Sequence, residues 1–261
     1  STLFPYTTLF RSPYRAVDEE ESDNYEIGGK MRLFNGRMTL NTAVYQTDIS
    51  GQQLTQTMFA VTPTGFTTVP YIENIGKSRI RGVELESLVL LTDNWNLRAG
   101  YSYTDAKVRS YYNQDEADLR SPNRSRSLQD LLDYGSVAGH TLPRVPAHQG
   151  FLASRLGFPM SNGWETFVGG SLTYESSKYD QIHNLAETGD RLNLDLRAGI
   201  DGGRWDITLW GKNLTDDDTA TDILRFIDTR GLSGASFATY RAFVLSLPRG
   251  RQFGANATFK F

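Results

Sequence analysis

From Phe253 to Phe261 the chain alternates without a break. Phe253, Ala255, Ala257, Phe259 and Phe261 share one face, and Gly254, Asn256, Thr258 and Lys260 the other. Side chains alternate across a strand with period two, so this pattern specifies a β-strand with one apolar face. Two further windows repeat it. In Trp95–Thr104, Trp95, Leu97, Ala99, Tyr101 and Tyr103 oppose Asn96, Arg98, Gly100, Ser102 and Thr104; in Arg191–Ile200, Leu192, Leu194, Leu196, Ala198 and Ile200 oppose Arg191, Asn193, Asp195, Arg197 and Gly199. At 39% hydrophobic residues, an unbroken ten-residue alternation has a probability on the order of one in a thousand per window and phase. The chain is therefore all-β. Shorter alternations mark further strands around Tyr25–Leu33, Met38–Val44, Val83–Val89, Leu152–Phe158, Trp164–Tyr174 and Trp205–Leu209.

Composition narrows the class. The net charge of -3 lacks the concentrated basic face of a nucleic-acid binder, and with no cysteine there is neither a disulfide framework nor a thiolate metal site. The longest apolar run, Leu88–Leu91, has four residues, against about 20 for a membrane helix. Strands of a membrane barrel escape that test, because half their residues face a polar lumen. Twenty-four Gly, 13 Tyr, 14 Phe and 4 Trp suit an aromatic-girdled β-protein.

The links between strands fall into two classes. Asn35-Gly36, Thr92-Asp93-Asn94, Ser161-Asn162-Gly163 and Asp201-Gly202-Gly203 are short turns, where Asn and Gly supply positive φ. Between them lie long polar stretches at about 50–77, 109–143, 176–189 and 215–249. Short turns on one side and long loops on the other is the pattern of outer-membrane barrels. Walking back from Phe261 gives nine strands, with Phe243–Leu247 counted as an extended part of the last loop, so that every short link falls on the side of Phe261. Trp95, Trp164 and Trp205 each follow a short turn closely, the height of an interfacial aromatic girdle; a Trp opening a strand also occurs in soluble sheets.

Taken in order, the landmarks resemble the C-terminal barrel portion of TonB-dependent outer-membrane receptors. Tyr25-Glu26-Ile27-Gly28 followed by Phe34-Asn35-Gly36-Arg37 and Leu40-Asn41 is similar to a hairpin of that family. Asn74-Ile75-Gly76 then Gly82-Val83-Glu84-Leu85-Glu86 resembles its Asn-x-Gly and Gly-(Val/Phe)-Glu segment. Asn213-Leu214-Thr215-Asp216 resembles its Asn-Leu-Phe-Asp, with Thr215 in place of the aromatic. Phe253, Phe259 and the terminal Phe261 resemble the final-strand signal that the barrel-assembly machinery reads. The resemblance spans Glu19–Phe261 and implies an open, curved, antiparallel segment of a larger barrel in the bacterial outer membrane. It further implies a plug domain and early strands outside this sequence, and coupling through that plug to the inner-membrane TonB complex. Ser1–Ser12 (STLFPYTTLFRS) resembles a translated adapter and is read as a non-native leader, leaving 13–261 as barrel.

Enzymatic chemistry finds no foothold. His140, His148 and His183 lack the H-E-x-x-H spacing, and no G-x-S-x-G, Walker or dinucleotide loop occurs. Neither a cofactor nor a resident metal is expected. Asp216-Asp217-Asp218 with Asp222 is a solvated loop rather than a calcium site, since no EF-hand spacing follows. Tyr111, Tyr112, Arg120, Arg124 and Arg126 in the loop 109–143 form either a grip for an anionic ferric chelate, through aromatic contact and guanidinium pairing, or a charged surface facing water and lipopolysaccharide. Arg98, Arg191, Asp195, Arg197 and Lys212 face the lumen, where they either contact a plug or keep the interior wet.

Three readings of function follow. The first is TonB-dependent import of a bulky scarce solute, most often an iron chelate by resemblance, with membrane lipid on the outer face. The second is a passive porin or surface-binding barrel without energy coupling. The third, a soluble β-sandwich, requires Trp95, Leu97, Tyr101, Leu192, Leu194 and Leu196 to lie inside a protein core. Which solute is carried is not written in any motif.

Overall fold

The apolar sides of the strands face outward, not into a protein core. This is seen in a computed structural model that describes residues 17–62, 65–74, 76–122, 127–228 and 240–261. In chain order the elements are β1 (Glu21–Leu33), β2 (Met38–Ser50), β3 (Gln53–Thr62), β4 (Gly65–Asn74), β5 (Lys77–Thr92) and β6 (Trp95–Ser110). Helices α1 (Gln114–Arg120) and α2 (Leu128–Tyr134) follow, then β7 (His148–Pro159), β8 (Glu165–Glu175), β9 (Arg191–Asp201), β10 (Trp205–Lys212), β11 (Asp222–Asp228), β12 (Tyr240–Ser246) and β13 (Gln252–Phe259).

Nine strands form one open sheet in the order β1-β2-β5-β6-β7-β8-β9-β10-β13, with β1 and β13 at its two edges. This is the strand count expected from the alternation of short and long links. β11 and β12 pair only with each other, as do β3 and β4, so Phe243–Leu247 stays out of the main sheet as expected. The stretches 50–77, 109–143 and 215–249 are not plain loops, however: they carry the β3–β4 hairpin, the two helices and the β11–β12 hairpin. The chain divides into two compact units. One comprises Asn24–Thr47, Arg79–Val108 and Gly139–Phe261, and the other Ser1–Asp23, Asp48–Ser78 and Arg109–Ala138.

Register turns the sequence alternation into two chemically distinct faces. Trp95, Leu156, Val168, Ala198, Leu209 and Ala255 are successive cross-strand neighbours from β6 to β13. One residue along, the neighbours are Asn96, Arg155, Gly169, Arg197, Trp210 and Gly254. A slip of one residue would exchange the faces, which is why register is strongly specified here. The apolar face is the open one: Trp95, Tyr101, Leu192 and Leu196 are each 40–46% exposed. That finding removes the sandwich reading. Each large apolar side chain is worth about 1.5–3 kcal/mol on leaving water. A face carrying more than ten of them outweighs a domain's net stability of about 5–15 kcal/mol and therefore calls for an apolar surrounding.

The short links use backbone that favours Gly and Asn. In the β1–β2 turn Phe34, Asn35 and Gly36 have φ of 54°, 55° and 85°. Gly163 and Gly203 turn β7 into β8 and β9 into β10 at φ of 80° and 77°. On the polar face, large rings lie across glycines of the adjacent strand: Phe151 is opposite Gly100, Phe167 opposite Gly199 and Trp210 opposite Gly254. Each of these glycines leaves room that a Cβ would take from the ring, since an added Cβ would sit 2.2–2.8 Å from it.

Candidate functional site: the polar face and the loop-side strand ends

The polar face holds a groove of 950 Å³ lined by Glu26, Lys30, Glu84, Glu86, Glu175 and Arg191 among others. Its charges are paired, across strands for Glu86 with Arg98 and for Arg191 with Glu175, and three residues along the chain for Glu175 with Lys178. Arg98 reaches Glu86 at 3.8 Å, Lys178 reaches Glu175 at 2.7 Å, and Arg191 lies 4.0 Å from the same Glu175. Nearer the short turns, Arg155 pairs with Glu165 and stacks over the Phe167 ring at 4.7 Å. Lys212 lies 5.4 Å over the ring of Trp210. Such half-exposed pairs contribute little to stability, about 0–1 kcal/mol each, and instead keep this face hydrated and charged.

At the loop side, Asn213 joins the end of β10 to β9 and to the approach to β13. The residue is 4% exposed and held at φ 49°, which Asn tolerates better than most residues. Its backbone N–H donates to Asp195 Oδ1 at 2.8 Å, tying β10 to β9. Its side-chain amide donates to the carbonyls of Asp217 and Arg249, at 2.9 and 3.1 Å, and its Oδ1 accepts from the Asp217 N–H at 2.9 Å. Arg249 lies just before β13, so one side chain joins the exit from β10 to the entry into β13. Thr215 donates to the Leu192 carbonyl at 2.7 Å. A hydroxyl thus serves where the family pattern has an aromatic.

Carboxylates complete this junction. Asp216 accepts from the Arg251 N–H at 3.0 Å and pairs with its guanidinium at 3.3 Å. Asp217 accepts from the N–H groups of Leu192 and Thr219, at 2.7 and 2.8 Å. Desolvation pushes the Asp217 carboxyl upward, but the bonds from Thr219 and Leu192 and the charge of Arg191 outweigh it and hold the group below the ordinary aspartate range. Asp222 pairs with Arg144 at 3.3 Å. Asp216, Asp217 and Asp222 are therefore engaged with separate protein partners. Asp190, just before β9, accepts from the Ser177 N–H and the Tyr174 hydroxyl, both at 2.8 Å. These bonds, the backbone one foremost, hold it below the usual range.

Of the loop residues named from sequence, the described ones divide: Tyr111 is buried, while Tyr112 and Arg120 are exposed. Tyr111 is 8% exposed, and its hydroxyl donates to Glu73 Oε2 at 2.8 Å, so it belongs to the interior of its own unit. Tyr112 is exposed and bridges to Ser136. Arg120, at the end of α1, pairs with Glu116 at 2.5 Å. Arg124, Arg126, Ile75 and Ser1–Ser12 lie outside the described residues. Trp164 packs against Gly202, and Trp205 lies 4.6 Å from the Phe259 ring, which meets Phe261 edge-on at 5.2 Å. Trp95 donates to Ser154 Oγ at 2.9 Å. Sequence reasoning missed the Asn213 junction and the Asp190 clasp; only the Asn-Leu-Thr-Asp motif hinted at the first.

Comparison with known proteins fits this architecture. A family model described as TonB dependent receptor-like, beta-barrel, matches residues 3–214. The probable TonB-dependent siderophore receptor PiuA of Acinetobacter baumannii is 24% identical over 208 residues, which is 77% of this chain and 24% of that protein. Among solved structures, the ferric yersiniabactin uptake receptor FyuA of Yersinia pestis superposes with a TM-score of 0.65 at 20% identity, over 93% of this chain and 30% of that one. The PiuA structure gives 0.63 at 21%, over 93% and 29%. The chain thus spans about a quarter to a third of the lengths it matches. With the family model covering most of its length, the chain belongs to the TonB-dependent receptor-like β-barrel family.

Proposed function

We propose that this chain forms part of the wall of an outer-membrane importer that takes up a bulky scarce solute, of the iron-chelate class, by coupling to an inner-membrane TonB complex. The observation that carries this reading is the two-faced sheet of a TonB-dependent receptor-like barrel, apolar outside and charged within. The relatives support the solute class, since PiuA is named as a siderophore receptor and FyuA as a ferric yersiniabactin uptake receptor. In this reading Trp95, Trp164 and Trp205 form the girdle on the short-turn side, Phe253, Phe259 and Phe261 the assembly signal, and membrane lipid covers the apolar face. The long loops, Tyr112 and Arg120 among their exposed groups, grip the solute from outside. No covalent step is involved; the wall contributes fit, charge and exclusion of lipid.

The test is uptake of radiolabelled ferric chelates by cells carrying the complete gene, with and without the TonB partner. Uptake on at least one chelate, abolished when the partner is deleted, is the expected result. Uptake that survives the deletion would establish the passive reading instead.

A further inference from the structure

A second groove, of 540 Å³, opens on the other side of the sheet. It is lined by Tyr25, Ile27, Val44, Tyr45, Gln46, Arg81, Gly82, Val83 and Tyr103, with Glu26 beside them. Tyr25, Ile27, Val44 and Tyr103 are 64%, 81%, 56% and 39% exposed. By strand alternation Glu26 directs its side chain to the opposite face from Tyr25 and Ile27. One cation, Arg81, stands in this apolar lining, and it is exposed. Its Nε donates to Gln46 Oε1 at 2.8 Å, which fixes the guanidinium over the groove. Among the described residues it has no carboxylate partner, although Asp105 lies on the neighbouring strand β6.

We propose that this groove is a binding site for a phosphorylated acyl lipid, its chain along Ile27, Val44, Val83 and Tyr103 and its phosphate on Arg81. An arginine on a membrane-facing surface has two favourable placements: beside a carboxylate, or at headgroup level beside an anion. Among the described residues no carboxylate pairs with Arg81. The guanidinium's terminal N–H groups form a planar fork that matches phosphate oxygens two at a time. Gln46 holds the third nitrogen and so pre-sets the fork. An acyl chain alone would find apolar surface anywhere on this face; the phosphate is what distinguishes this groove from the rest.

The inference rests on the outer face being lipid-covered. Its test is native mass spectrometry of the full chain in detergent micelles, offered dioleoyl phosphatidylglycerol or, as the probe without phosphate, dioleoylglycerol. Wild-type chain should retain the phospholipid over dioleoylglycerol, and Arg81→Gln should lower that retention about fivefold. Arg81→Lys should recover part of it, because the charge returns without the fork, while Ile27→Ser should weaken both lipids alike. Far-ultraviolet circular dichroism checks that each variant keeps its sheet. Equal retention by Arg81→Gln and wild type, or equal retention of both lipids, would overturn the site. A chain that stays monomeric in buffer without detergent would overturn the membrane reading itself, and with it this inference.

Discussion

Phe151 lies directly across from Gly100 in the β6–β7 ladder, and a Cβ placed on that glycine would come within 2.2 Å of the ring. The pair shows how this sheet places rings on its hydrated face: the ring covers the neighbouring strand where that strand has no side chain. Gly199 has the same relation to Phe167, but its added Cβ would also meet the Ile207 carbonyl at 2.5 Å. A ring can swing away and a ladder carbonyl cannot. Gly199→Ala is therefore expected to cost about 1–3 kcal/mol, and Gly100→Ala less. Combining Gly100→Ala with Phe151→Leu should restore most of the loss. Denaturant titrations of the chain folded in micelles would check the ranking; equal costs at the two glycines would refute it.

Asn213→Ala removes four side-chain bonds from a buried junction of β9, β10 and β13. The expected loss is about 2–4 kcal/mol, from bonds worth about 1 kcal/mol each and carbonyls left unsatisfied. Asn213→Gly keeps the positive φ without the bonds and should lose nearly as much. Hydrogen exchange should quicken first at Leu214 and Asp217, whose N–H groups donate within this junction.

The side chain of Phe261 is fully exposed, so Phe261→Ala should leave the melting temperature of the refolded chain nearly unchanged. If the terminal ring is an assembly signal, the same change in the complete gene should sharply reduce protease-protected protein in the outer membrane. Parallel losses in both assays would mark Phe261 as a packing residue instead.

Leu209 belongs to the apolar row and Thr208 to the opposite face. Leu209→Arg should destabilise the bilayer-folded protein by about 2–4 kcal/mol if it lies near the midplane, whereas Thr208→Arg should change stability little. Folding titrations in phosphatidylcholine vesicles would separate them. Equal effects would argue against a lipid-facing row.

Asp190 is held below its ordinary value of 3.8 by the Ser177 N–H and the Tyr174 hydroxyl. Because the folded value is the lower one, the clasp contributes fully above 3.8 and is lost as pH falls through the depressed folded value. The Ser177 amide resonance should titrate with a midpoint below 3.8, and Asp190→Asn should abolish that titration. A midpoint above the ordinary value would contradict the clasp.

What the amino-acid sequence determined by itself was the sheet and its two faces. Period-two alternation is a local property, written residue by residue in windows such as Arg191–Ile200, and Asn-Gly and Gly-Gly turns are local too. Nine strands, their short-turn side and the apolar outer face follow from those without any long-range contact. The contents of the long stretches did not follow. Helices α1 and α2 have seven residues each, under two full turns, too short for a helical period to emerge. Tertiary structure alone decided that Tyr111 turns inward to Glu73, 38 residues away, and not toward a solute. It alone made Asn213 a junction, because the carbonyl of Arg249 comes within reach only once β10 and β13 are paired. A hydrogen bond to a distant backbone atom leaves no periodic mark on the chain that makes it.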